Sequence, residues 1–146
     1  MSHSHAQKVV AAAQRLMDAD KAGIRRPAPP PYYTPEEMEA ALNSILIATR
    51  HIDPSNWTPE HQEQEDSFSI LKFEQDVWQE YGLTGDFDPE TLLKDCQRRA
   101  WEAEECGNET LQESTMLVLN ALNMIHKMRK QLSRSFAQGQ EGIRGN

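Results

Sequence analysis

Apolar residues recur along most of this chain at intervals of three and four, the spacing of one helical face, and no stretch shows the sustained alternation of a strand. Val9, Val10, Ala13, Leu16 and Met17 form the first such stripe and predict a helix from about Ser4 to Ala22, with Gly23 as its C′ residue. A second face follows Met38, Ala41, Leu42, Ile45, Ala48, Thr49 and Ile52, and Asp53-Pro54 ends it. The third carries Phe68, Ile70, Leu71, Phe73, Val77, Trp78 and Tyr81 behind two polar turns, and stops at Gly82. In the fourth, Leu92, Leu93, Cys96 and Ala100 point inward and Gly107 closes the helix. The fifth is the longest. Its Leu111, Val118, Ile125 and Leu132 recur every seven residues, supported by Ala121, Leu122 and Met128. Met116, Leu117, Leu119 and Met124 widen that face until residues 116–125 are apolar nearly all round, which requires neighbours on several sides. The seam Leu111, Val118, Leu122, Ile125, Met128 and Leu132 therefore reads as core of a bundle or as an oligomer contact.

Three of these helices begin in nearly the same words: Thr34-Pro35-Glu36, Thr58-Pro59-Glu60 and Asp88-Pro89-Glu90. Each places a capping oxygen before the helix, a proline where no donor is lost, and a carboxylate at the positive end of the helix dipole. Thr34 and Glu37 also fit a capping box, with Tyr33 and Met38 at the staple positions, and Asn108 is placed to cap the fifth helix. Between the first two helices lies Pro27-Ala28-Pro29-Pro30-Pro31, which reads as a stiff polyproline II spacer of about 3.1 Å per residue. The expected organisation is all-α. Residues 1–26 form a helical arm, able to fold back or to reach a neighbour, and 27–33 a Pro-rich hinge. An irregular bundle follows over 34–137, then a flexible tail over 138–146.

Length adds one constraint: 146 residues fit a single domain with a real core. With 38% hydrophobic and 26% charged residues the chain is polar for a globular protein, as suits exposed helices or a core shared with a partner. No apolar run is long enough to span a membrane, and Gln14, Arg15, Asp18 and Asp20 break up the alanines that would otherwise suggest a signal segment. Cys96 and Cys106 fall on one helix, roughly 15 Å apart at 1.5 Å per residue, too far for a bridge. Reduced thiols and a cytoplasmic location are expected.

The net charge of −8 is unevenly spread. Residues 34–107 carry five basic and eighteen acidic side chains, whereas 1–33 and 108–146 are net positive at +3 and +2. An acidic middle of this size repels nucleic acid over any broad contact, and can receive a basic end from the same chain or another copy.

Candidate chemistry is sparse. Pro29-Pro30-Pro31-Tyr32-Tyr33 contains the PPxY pattern twice, and an extended tyrosine-bearing segment is what aromatic grooves bind at little entropic cost; the competing reading is a linker. His61 and Glu65 share a helical face but lack the third and fourth ligands a metal needs. The pairs Glu36/Glu39 and Glu102/Glu105 are similar to the carboxylate pairs with which all-α nucleotide pyrophosphohydrolases hold magnesium. Each, however, sits near a helix end and has no evident phosphate pocket beside it. Ser, Cys and His are too scattered for a nucleophile and its base. Lys127, Arg129, Lys130 and Arg134 are the one concentrated basic patch, read as complement to the helix dipole or as a phosphate contact.

These features favour a non-enzymatic interaction protein without metal or cofactor: an adaptor, assembly component or inhibitor that self-associates. It would bind an unidentified protein through Val9, Val10, Leu16, Met17 and the hinge residues Pro29, Pro30, Pro31, Tyr32 and Tyr33. A nucleic-acid-associated protein is the alternative, and a magnesium-dependent hydrolase the third.

Overall fold

The computed structural model describes residues 2–23, 27 and 34–144, all-α with no strand among the described residues. Five helices occur in order: α1 (Ser2–Lys21), α2 (Pro35–Arg50), α3 (Pro59–Glu80), α4 (Pro89–Glu105) and α5 (Glu109–Arg144), with a 3-10 turn at Pro54–Asn56 before α3. The helix starts follow the capping logic of the sequence. Thr34 Oγ1 accepts from Glu37 N at 3.2 Å while Glu37 Oε1 accepts from Thr34 N at 3.4 Å, so the box at α2 is closed in both directions. At α3 the box is closed by a histidine: Thr58 N donates to His61 Nδ1 at 3.1 Å, and His61 N donates to Thr58 Oγ1 at 3.3 Å. Asp88 accepts from Glu90 N at 3.1 Å, and Asn108 Oδ1 from Leu111 N at 3.1 Å.

Two helices end in the same way. Gly82 (φ 70°) and Gly107 (φ 69°) take the left-handed conformation that a side chain would strain. Gly107 N donates to Glu104 O at 3.1 Å and Asn108 N to Ala103 O at 3.1 Å; Gly82 and Leu83 repeat the pattern on Gln79 and Trp78. The 3-10 turn has its own cap, unanticipated in the sequence. Asp53 accepts from Ser55 N at 3.0 Å and from the Ser55 hydroxyl at 2.9 Å, bonds that hold its carboxyl below the usual value. Trp57 then donates its indole N–H to Ile52 O at 3.2 Å, pinning the α2–α3 link.

Of the two courses open to the first helix, the chain takes the fold-back one. α1 lies against both α3 and α5, α4 packs on α5 and meets α3, and α2 packs chiefly on α3. The bundle is therefore α1, α3, α4 and α5, with α2 as a flank. Val9, Ala12, Ala13, Leu16 and Met17 of α1 are buried with Ile70, Leu71, Ile125, Met128 and Leu132 in one core. A stripe this apolar gains about 25 cal/mol for each Å² taken out of water, so docking within the chain outweighs exposure on a tether. Alanines at 6, 12 and 13 on α1 and at 121 on α5 leave room for close helix packing.

Polar bonds fix how α1 is seated. Arg15 clasps the buried Asp66 of α3 through two bonds of 2.6 and 3.1 Å, which also hold the guanidinium pKa above its ordinary value. Asp20 accepts from Gln131 at 2.9 Å and from Ser135 at 2.7 Å, and Gln131 also donates to Met17 O at 3.1 Å. Deeper still, Arg129 of α5 and Glu74 of α3 form a bidentate pair at 2.6 Å in both bonds. The side chains are 6% and 1% exposed. Trp78 meets Phe87 edge-on at 5.3 Å, closing the α3–α4 loop onto the core.

Candidate interaction surface

The end of α3, the last turns of α4 and the first turns of α5 converge on an open cleft of about 500 Å³. Its floor is polar and internally paired. Arg99 lies over the Tyr81 ring, 4.1 Å from its centroid, donates to Tyr81 O at 2.9 Å and holds Asp95 at 2.7 Å. The Tyr81 hydroxyl and Cys96 Sγ are 3.3 Å apart. Burial pushes the Tyr81 phenol well above its usual range, with the Cys96 contact adding to it, and burial likewise raises the Cys96 thiol. Both groups keep their protons at neutral pH, so neither is an activated nucleophile. Burial works against the Asp95 carboxylate, but bonds from Arg98 and Arg99 hold it below its ordinary value.

What the cleft offers outward is Leu111, 50% exposed, beside Cys106 and Ser114 and flanked by Glu80 and Glu102. Further along, Met116 and Leu117 are 39% and 37% exposed among Gln112, Glu113 and Asn120. Trp101 projects alone from α4 at 59% exposure. The arrangement can supply apolar contact bordered by carboxylates.

Val9, Leu16 and Met17 are buried and Val10 half-buried, all against this chain's own core. Val118, Leu122, Ile125, Met128 and Leu132 are likewise core, facing the neighbouring helices, while Leu111 alone of that seam reaches solvent. Pro29, Pro30, Pro31, Tyr32 and Tyr33 lie outside the described residues. Lys127, Lys130 and Arg134 are exposed, with Asn123 and His126 beside them, whereas Arg129 is removed from that patch by Glu74. His61 serves the α3 cap, and among the described residues no three His, Cys, Asp or Glu side chains gather to hold a metal ion.

Glu74 and Asp66 are not anticipated as paired core charges, although Glu74 carries a legible signal. It sits four residues from Ile70 and three from Val77 within an apolar stripe, and its partner Arg129 follows Leu122 by seven within another. A charge embedded in such a stripe requires a buried partner. Comparison with family models, curated proteins and solved structures finds no match to this chain.

Proposed function

We propose that this chain is a non-enzymatic protein–protein interaction protein, an adaptor, assembly component or inhibitor, that works in the cytoplasm and self-associates. The observation that carries the reading is the apolar exposure of Leu111, Met116 and Leu117 close together on the N-terminal half of α5, with Phe136 exposed further along the same helix. The cleft beside Leu111 supplies concavity, and Glu80 and Glu102 a polar rim of the kind that surrounds interface centres. Free cysteines at 96 and 106 suit a reducing compartment.

Capture from extract of the native host tests it, using wild type beside Leu111→Asp and Met116→Asp. Both positions are exposed, so the variants are expected to melt within about 0.5 kcal/mol of wild type while losing the captured protein. Equal capture by all three, or none by wild type, refutes the surface. The alternative, nucleic-acid association, draws on Lys127, Lys130 and Arg134 standing exposed on one helix. A salt titration with random-sequence DNA checks it, and absence of binding at low salt removes it.

A further inference from the structure

The outward face of α5 has an order that, beyond the first-turn Glu109, neither capping nor core packing explains. Counting from Glu109 in steps of four and three reaches Glu113, Met116, Asn120, Asn123, Lys127, Lys130 and Arg134, a heptad stripe on the side away from the buried seam. All eight side chains are exposed. The stripe spans roughly 38 Å at 1.5 Å per residue and passes from acid through amide to base. Among the described residues, none of its five charges has an ion-pair partner. Nor does the helix dipole account for its basic end. α5 continues to Arg144, ten residues past Arg134, whereas the dipole acts within the last turn.

We propose that this stripe is an isologous interface, at which α5 pairs antiparallel with α5 of a second copy of this chain. Reversing the stripe about the midpoint of Asn120 and Asn123 brings every position onto a suitable one. Glu109 faces Arg134 of the second copy and Glu113 faces Lys130. Met116 lies along the aliphatic stem of Lys127, and Asn120 meets Asn123 amide to amide. The two-fold axis repeats each contact, giving four acid–base pairs. A parallel pairing would set glutamate on glutamate and lysine on lysine, so the charge order selects the antiparallel arrangement and rejects the other. With asparagines at its centre and one methionine per copy beside them, the interface is polar. It forms a weak dimer that salt disperses. The proposal rests on the interaction reading above, for which it names a partner, and shares Met116 with it.

Sedimentation of the full chain is the test, at on the order of 100 µM protein and in about 10 mM and about 1 M NaCl. The expected mass is near twice 16.7 kDa in low salt and near 16.7 kDa in high salt. Lys130→Glu with Arg134→Glu makes both ends of the stripe acidic and leaves Lys127 as its one base, and Glu109→Lys with Glu113→Lys makes every charge on it basic. Each double variant alone is expected to be a monomer, and their equimolar mixture a one-to-one dimer with all four pairs restored. A wild type that stays monomeric in low salt overturns the proposal, as does a dimer indifferent to both double variants. A monomer that still captures a host protein through Leu111 and Met116 overturns it, and with it self-association, while leaving the reading of a surface for a host protein intact.

Discussion

Replacing Arg129 with methionine strips Glu74 of a bidentate partner inside the core. The carboxylate is 1% exposed and both bonds are 2.6 Å, so no rearrangement short of opening the bundle returns it to water. Breaking one side of such a buried pair costs about 3–5 kcal/mol, against a typical total stability of about 5–15 kcal/mol. The folded-to-unfolded ratio then falls by roughly two to three and a half decades. At an m-value of about 2 kcal/mol/M, the urea midpoint drops by roughly 1.5–2.5 M. Glu74→Leu is expected to cost about the same, because it leaves a guanidinium in the core without its carboxylate. The double variant Glu74→Leu, Arg129→Met buries no charge and is expected within about 1 kcal/mol of wild type or above it. Urea denaturation followed by circular dichroism measures all four corners of the cycle. Single variants costing under about 1 kcal/mol, or a double variant as weak as the sum of both, would show that the pair is not the buried clasp described here.

Three further outcomes follow from the packing. Met17→Ala is expected to cost about 2–5 kcal/mol in thermal or urea unfolding, since Met17 lies in the shared core; a cost under about 0.5 kcal/mol would mean that α1 is not docked. The raised Tyr81 and Cys96 values mean that the folded chain keeps two protons which the unfolded chain releases at alkaline pH. Their stabilisation is complete below about pH 8.5 and is lost as pH climbs past the ordinary thiol and phenol values, so the melting temperature falls between roughly pH 8.5 and 11. Tyr81→Phe should flatten that fall, and an unchanged slope would refute the assignment. Gly107→Ala costs about 1–2 kcal/mol although its new Cβ meets nothing within 4 Å, so the whole loss is backbone strain at φ 69°. A neutral result would place that residue outside the left-handed region.

The parts of the fold readable in the sequence are those set by local chemistry. Thr34, Thr58, Asp88 and Asn108 act where they stand because a cap concerns a few neighbouring backbone groups. The stops at Gly82 and Gly107 are equally local. Non-local choices were less legible. The stripe of α1 is visible as a stripe, yet whether it docks on its own bundle or on another chain depends on Asp66, Gln131 and Ser135, which lie 51 to 115 residues away from their partners on α1. The basic patch was legible as a patch. That Arg129 belongs to the core and Lys127, Lys130 and Arg134 to the surface follows from angular position, since at 3.6 residues per turn Arg129 lies roughly 100–160° around the helix from each of the others, which composition does not express.

The seat of α1 has a consequence for how the protein is made. Gln131 and Ser135 bond to residues of α1 that precede them by 111 to 115 positions, so α1 leaves the ribosome long before the helix that covers it exists. At about 5–20 residues per second, the wait is roughly 6–23 s, during which Val9, Leu16 and Met17 lack their final cover. Helical bundles dominated by neighbouring contacts fold quickly; closure here must await nearly the whole chain, so folding is expected to be slow for its class. Synthesis itself is therefore when the nascent chain is most prone to aggregation, and when a chaperone that shields the α1 stripe would help it most.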